Sequence, residues 1–138
     1  LRIKLNFSKR FNQMFNFKGT KPSNLGVKDG KLAACPGTPN CVSSQSDNAQ
    51  AKIEPLPAVS IAEIKKVVDG MEGATIIEEN ENYLYAEFKS KLMGYVDDVE
   101  FYLGSDANGV QVRSASRLGK SDLRVNRKRV EEIRSKLK

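Results

Sequence analysis

Two acids and two arginines stand where a hairpin would bring them together: Asp98 and Glu100 in one alternating segment, Arg113 and Arg117 in the next. Side chains of a strand alternate between faces, so Asp98, Glu100 and Tyr102 share one face while Val99, Phe101 and Leu103 share the other. If residues 104–109 form the loop, Phe101 lies opposite Val112 and Glu100 opposite Arg113, with Asp98 diagonal to Arg113 and Arg117. Tyr83, Tyr85 and Glu87 of the preceding strand join that face. The expected result is an open sheet face of tyrosines, carboxylates and guanidiniums. It reads either as a solvated ladder of ion pairs or as a groove for a polar or anionic ligand held by Arg113 and Arg117. Acid–base catalysis needs carboxylates with separated pKa values, and the arginines opposite would keep both Asp98 and Glu100 ionised. Asp97 points to the other face, toward the core, where a buried charge needs a partner such as Ser116 or Arg127.

Other chemistry finds less support. The chain has no histidine, which removes the usual general base and the commonest zinc ligand. Gly119-Lys120-Ser121 echoes a phosphate loop but lacks the upstream glycine and the strand–loop–helix setting. A weaker anion site remains where backbone amides at the start of the last helix stand near Arg127 and Lys128. No cofactor is expected. Cys35 and Cys41 flank Pro36-Gly37-Thr38-Pro39-Asn40, a stiffened loop whose ends can approach to disulfide distance. An oxidised pair, two buried free thiols and a redox role all remain open for it. Oxidation would imply a periplasmic or thylakoid-associated setting, and free thiols the cytoplasm or stroma.

These residues need elements to hold them. Helix-forming signals begin at Ser60, an N-cap with Glu63 at the third helical position and Val59 and Ile64 as a hydrophobic staple. Ile61, Ile64, Val67, Val68 and Met71 supply the apolar stripe, and glycines 70 and 73 end it. Strands are expected near 74–79, 82–89, 95–103 and 109–117, separated by turn residues. A last helix is expected over 126–137, opened by Asn126 with Val125 and Val130 as a second staple, its apolar edge formed by Val130, Ile133 and Leu137. The fold class is therefore α+β: an antiparallel four-stranded meander with both helices packed on one face and a long irregular N-terminal segment.

With 138 residues the chain suits one domain, here 19–138, preceded by a basic tail over 1–18. In that tail Ile3, Phe7, Phe11, Met14 and Phe15 share one helical face, opposite Arg2 and Lys9. It reads as a docking tail, a targeting remnant, or an amphipathic segment that attaches to a membrane surface or protein partner. Because residue 1 is leucine, an upstream segment is expected to have been removed. Lys and Arg outnumber acids eight to one over 1–31 and ten to three over 113–138, whereas acids prevail thirteen to five over 32–112. A basic C-terminal helix neutralising an acidic sheet explains this pattern better than a nucleic-acid footprint, which needs one continuous basic face.

The blocks LGVKDGKLAACPGTPNCVSSQ (25–45), SKLMGYVDDVEFYL (90–103) and VRSASRLGKSDLRVNRKRVEEIR (112–134) resemble a family named domain of unknown function 1499. The resemblance covers about 22–137. Members occur in bacteria, cyanobacteria and plastids, and the resemblance implies no reaction, cofactor or catalytic residue. The leading expectation is a non-enzymatic binding or accessory module that docks a protein partner, a membrane surface or a small anionic ligand. An enzyme using the carboxylate and arginine face is the second reading, and nucleic-acid binding through the C-terminal helix the third. The site residues that these readings name are Arg113, Arg117, Asp98, Glu100, Tyr85, Tyr102 and Arg127.

Overall fold

The computed structural model describes residues 17–105, 108–119 and 124–137. The apolar face of the tail over 1–16 and the Lys120-Ser121 part of the phosphate-loop echo lie outside the described residues. The chain runs β1 (Cys41–Ser43), α1 (Ile61–Asp69), β2 (Ala74–Glu79), β3 (Tyr83–Lys89), β4 (Val96–Tyr102), β5 (Gln111–Ser116) and α2 (Val125–Lys136). One antiparallel sheet has the order β1-β5-β4-β3-β2.

The meander of β2 to β5 is the expected one, in the expected register: Phe101 pairs with Val112 and Glu100 with Arg113. The sheet has five strands rather than four. β1 adds itself to β5, with Val42 opposite Ser114, and Ser116 N donates to Asn40 O. Three residues are too few to show an alternation. This strand exists because an otherwise open edge of β5 is there to receive it.

Both helices lie on one face, as the periodicity requires. Ile61, Ile64 and Val68 of α1 and Val130 and Ile133 of α2 pack with Leu84, Ala86, Val99, Phe101, Val110 and Val112 in one core. Ser60 caps α1, its hydroxyl accepting from Glu63 N at 3.2 Å. After the helix, Gly73 takes φ +81°, and a Cβ there would stand 2.4 Å from Lys89 O. That backbone contact demands glycine, because it lets β2 start directly against the end of β3.

The second helix departs from expectation at its start. Arg124 precedes it in the left-handed region at φ 67° with no side-chain cap, and Val125 is exposed, so no staple forms. Asn126 is fully buried instead. Its amide donates to Ser116 Oγ and Asn40 O and its carbonyl accepts from Ser114 Oγ and Arg129. A buried amide with that many partners on the sheet cannot also turn back to cap a helix.

Candidate functional site

The carboxylate and arginine face forms as a constellation but is not open. Residues 17–45 fold across it. Leu25 and Leu32 pack on Tyr83, Tyr85 and Tyr102, Lys21 stands over the Tyr85 ring at 5.1 Å, and Gly26 N donates to Glu100 Oε2 at 2.7 Å. The sequence expectation of an open face is thus corrected. The apolar residues of the 19–57 stretch follow no period, so nothing local marks them as a cover.

Beneath the cover the charges satisfy each other. Arg117 Nε and Nη2 both donate to Asp98, Nη2 also reaches Glu87 at 2.7 Å, and only 1% of the Arg117 side chain is exposed. Its hydrogen bonds to Asp98 raise its pKa further. Tyr85 donates to Asp98, and burial followed by that bond pushes its hydroxyl above the usual tyrosine range. Tyr83 donates to Glu100 at 2.6 Å and is raised the same way, by burial first.

Glu100 and Arg113 form the weaker half. They are neighbours in register, yet Arg113 Nη1 stands 3.9 Å from Glu100 Oε1. Arg113 Nη2 donates to Ala34 O in the cover at 3.3 Å. Among the described residues Glu100 Oε1 and Arg113 Nε have no hydrogen-bond partner. Burial raises the Glu100 pKa above the ordinary carboxylate range and lowers that of Arg113. Chemically the face holds acids, bases and donors, but its groups face one another and the cover, not solvent.

Six of the predicted residues therefore meet on this face: Tyr85, Asp98, Glu100, Tyr102, Arg113 and Arg117. Arg127 does not join them. Its guanidinium donates to Lys52 O and Gln50 O, away from the carboxylate face. Arg134 likewise holds Pro55 O and Glu54 O. The basic helix thus anchors the 50–55 stretch through carbonyls and meets an acid of the sheet through Arg129. Asp97 finds its partner in Arg129 at 2.8 Å, rather than in Ser116 or Arg127. Spacing on a helix not yet docked could not choose between Arg127 and Arg129.

Cys35 and Cys41 are joined in a disulfide with Cα atoms 5.7 Å apart. Asn40, at the end of the loop, is buried and ties it down, accepting from Thr38 Oγ1 and donating to Gly119 O. The bridge links the cover at Cys35 to the edge strand at Cys41, next to the Ala34 carbonyl that holds Arg113.

A solvent-open feature lies on the helix side of the sheet, beside the ends of β3, β4 and β5. A cleft of about 740 Å³ is lined by Met71, Phe88, Tyr95, Val96, Leu118 and Val125, with polar groups from Asp97, Ser116, Lys128 and Arg129. Beside it the 90–95 turn exposes Leu92 at 90% and Met93 at 41%. Tyr95 stacks on Phe17, ring centroids 5.0 Å apart. Sequence reasoning placed Met71 in a helix stripe and Val125 in a helix staple, and singled out neither Leu92 nor Met93. The available signal was Leu92-Met93, an apolar pair in a tight turn where polar residues are usual.

Among the described residues no group of His, Cys, Asp and Glu could hold a metal ion. No helix among them is long and apolar enough to cross a membrane. No curated protein and no solved structure matches the chain. A family model described as Protein of unknown function (DUF1499) matches residues 31–137, covering β1 and the cover's Cys35, all of β2 to β5 and both helices. The chain belongs to that family.

Proposed function

We propose that this protein is an attachment module, a binding rather than a catalytic protein, which docks on an anionic membrane surface through its 90–95 turn and its N-terminal segment 1–18. The carrying observation is the Phe17–Tyr95 stack. Phe17 directly follows the basic stretch 1–16 in the chain, with Arg2, Lys4, Lys9 and Arg10, and its ring meets Tyr95 in the turn where Leu92 and Met93 are exposed beside Lys89 and Lys91. Apolar tips that enter the acyl boundary and lysines that stay at the headgroups are the two ingredients of interfacial binding. Each cation near an anionic leaflet adds about 1 kcal/mol, so neither the turn nor the tail needs to suffice alone. The bonded Cys35–Cys41 pair suits an oxidising compartment, the periplasm or the thylakoid lumen.

Vesicle flotation tests the reading. The full chain should float with vesicles that contain anionic phospholipid and stay in the soluble fraction with neutral ones. Removing residues 1–16, or changing Leu92 and Met93 to Asp, should return it to the soluble fraction. Equal recovery with neutral and anionic vesicles, or no change in either variant, defeats the proposal.

A further inference from the structure

We infer that the cleft between the start of α2 and the 90–95 turn is a binding site for a small amphiphile, one acidic head on a flexible aliphatic chain. This goes beyond surface attachment, since Leu92 and Met93 are not among the lining residues.

Charge pairing argues for the acidic head. Three carboxylates line the cleft, and each already has a cation: Glu72 with Lys91 at 3.8 Å, Asp97 with Arg129 at 2.8 Å, and Glu132 with Lys136 at 3.3 Å. Lys89 and Lys128 also line it and have no acid partner among the described residues. Among the described residues the cleft thus presents two ammonium groups without an acid partner and no carboxylate without a cation. A charged ammonium makes a stronger hydrogen bond to an anionic oxygen than a neutral donor does.

The walls argue for the chain. Phe88 and Val96 form the sheet side, Met71 closes the end of α1, and Tyr95, Leu118 and Val125 each leave 40–44% of their surface exposed. Half-exposed aliphatic groups around a concavity gain most when another apolar body fills it. Arg129 is held in place over the Phe88 ring at 4.7 Å by Asp97, Ser114 and Asn126, so the floor is rigid. A volume of about 740 Å³ is in the range of small-molecule sites. Neither edge strand, β1 or β2, contributes a lining residue, so a peptide would find no backbone ladder to extend.

Laurate and dodecyl phosphate, below their micelle-forming concentrations, are the probes. Titration calorimetry of the full chain should give saturable one-to-one binding of both, and methyl shifts in NMR should fall on Val96, Leu118 and Val125. Acetate and inorganic phosphate, which supply the head alone, should not bind. Dodecyl maltoside supplies a neutral head and should bind at least tenfold more weakly, the scale of a charge-assisted hydrogen bond. Changing Lys89 and Lys128 together to Ala should weaken laurate by about the same factor, Val125→Asp should abolish binding, and Lys66→Ala on the outer side of α1 should change nothing. Circular dichroism would confirm that each variant is folded. Maltoside binding as tight as laurate, shifts outside the cleft, or an unaffected double lysine variant would overturn the inference. The Leu92 and Met93 variants should retain laurate binding, which separates this site from membrane attachment.

Discussion

Glu100 and Arg117 are both buried beside opposite charges, yet they are held in opposite ways. Arg117 has Asp98, Glu87 and Tyr85 around its guanidinium, so removing it strands two acids under the cover. Arg117→Met should cost about 3–5 kcal/mol, read from urea denaturation, as expected when one partner of a buried pair is lost. Glu100 is further from its arginine and keeps an unpartnered oxygen, and its pKa is raised mainly by burial. A carboxyl that binds its proton more tightly when folded contributes stability at low pH and loses it as pH rises. The loss begins at the unfolded value of about 4.3 and continues up to the raised folded value. The melting temperature of the wild type relative to Glu100→Gln should therefore fall as pH rises above the ordinary carboxylate range. A difference that stays flat or grows with that rise would contradict the burial argument.

At the scale of elements, the cover is the part least secured by hydrophobic contact and most dependent on covalent help. It touches the sheet through Leu25, Leu32, the Gly26 amide and the Ala34 carbonyl, and the disulfide fixes its end to β1. Replacing Cys35 and Cys41 with Ser should cost about 2 kcal/mol for so short a loop. Amide exchange should then accelerate over 25–34 well before it does in β3 to β5, because local opening is easiest where few contacts hold. Uniform acceleration across the sheet would show that the bridge supports the whole fold instead. Gly73 makes a sharper test of backbone demand. Gly73→Ala meets both a positive φ and the Lys89 carbonyl, so it should lower stability by well over 1 kcal/mol. Gly70→Ala, at φ −86° and with a Cβ meeting only ordinary contacts (Val67 O at 3.5 Å), should be close to neutral.

The whole molecule divides its chemistry between the two faces of one sheet. Its strongest charges are turned inward under the cover, while Leu92, Met93, Tyr95, Leu118 and Val125 expose apolar surface at the cleft and the 90–95 turn. The N-terminal segment joins the body beside that cleft, through Phe17 on Tyr95 and Gly19 against Leu118. Deleting residues 1–16 should therefore leave the melting temperature within a few degrees, since Phe17 and the cover remain, as calorimetry would show. A large drop would mean that the segment belongs to the core of the fold and is more than an attachment.

What the sequence determined by itself was whatever rests on local period and spacing. The α1 cap at Ser60, the parity of β3 to β5, the pairing of Glu100 with Arg113 and the closeness of Cys35 to Cys41 all follow from side-chain alternation or short loops. The tertiary structure decided whatever depends on surfaces meeting at long separation. β1 becomes a strand only because the edge of β5 is beside it, and Asn126 leaves its capping role because Ser114, Ser116 and Asn40 surround it. The inward turn of the polar face belongs to the same class. Gly26 and Glu100 are 74 residues apart in the chain, and only docking of an aperiodic segment brings a backbone amide to that carboxylate. An alternating strand says which side chains share a face; it carries no information about what covers that face.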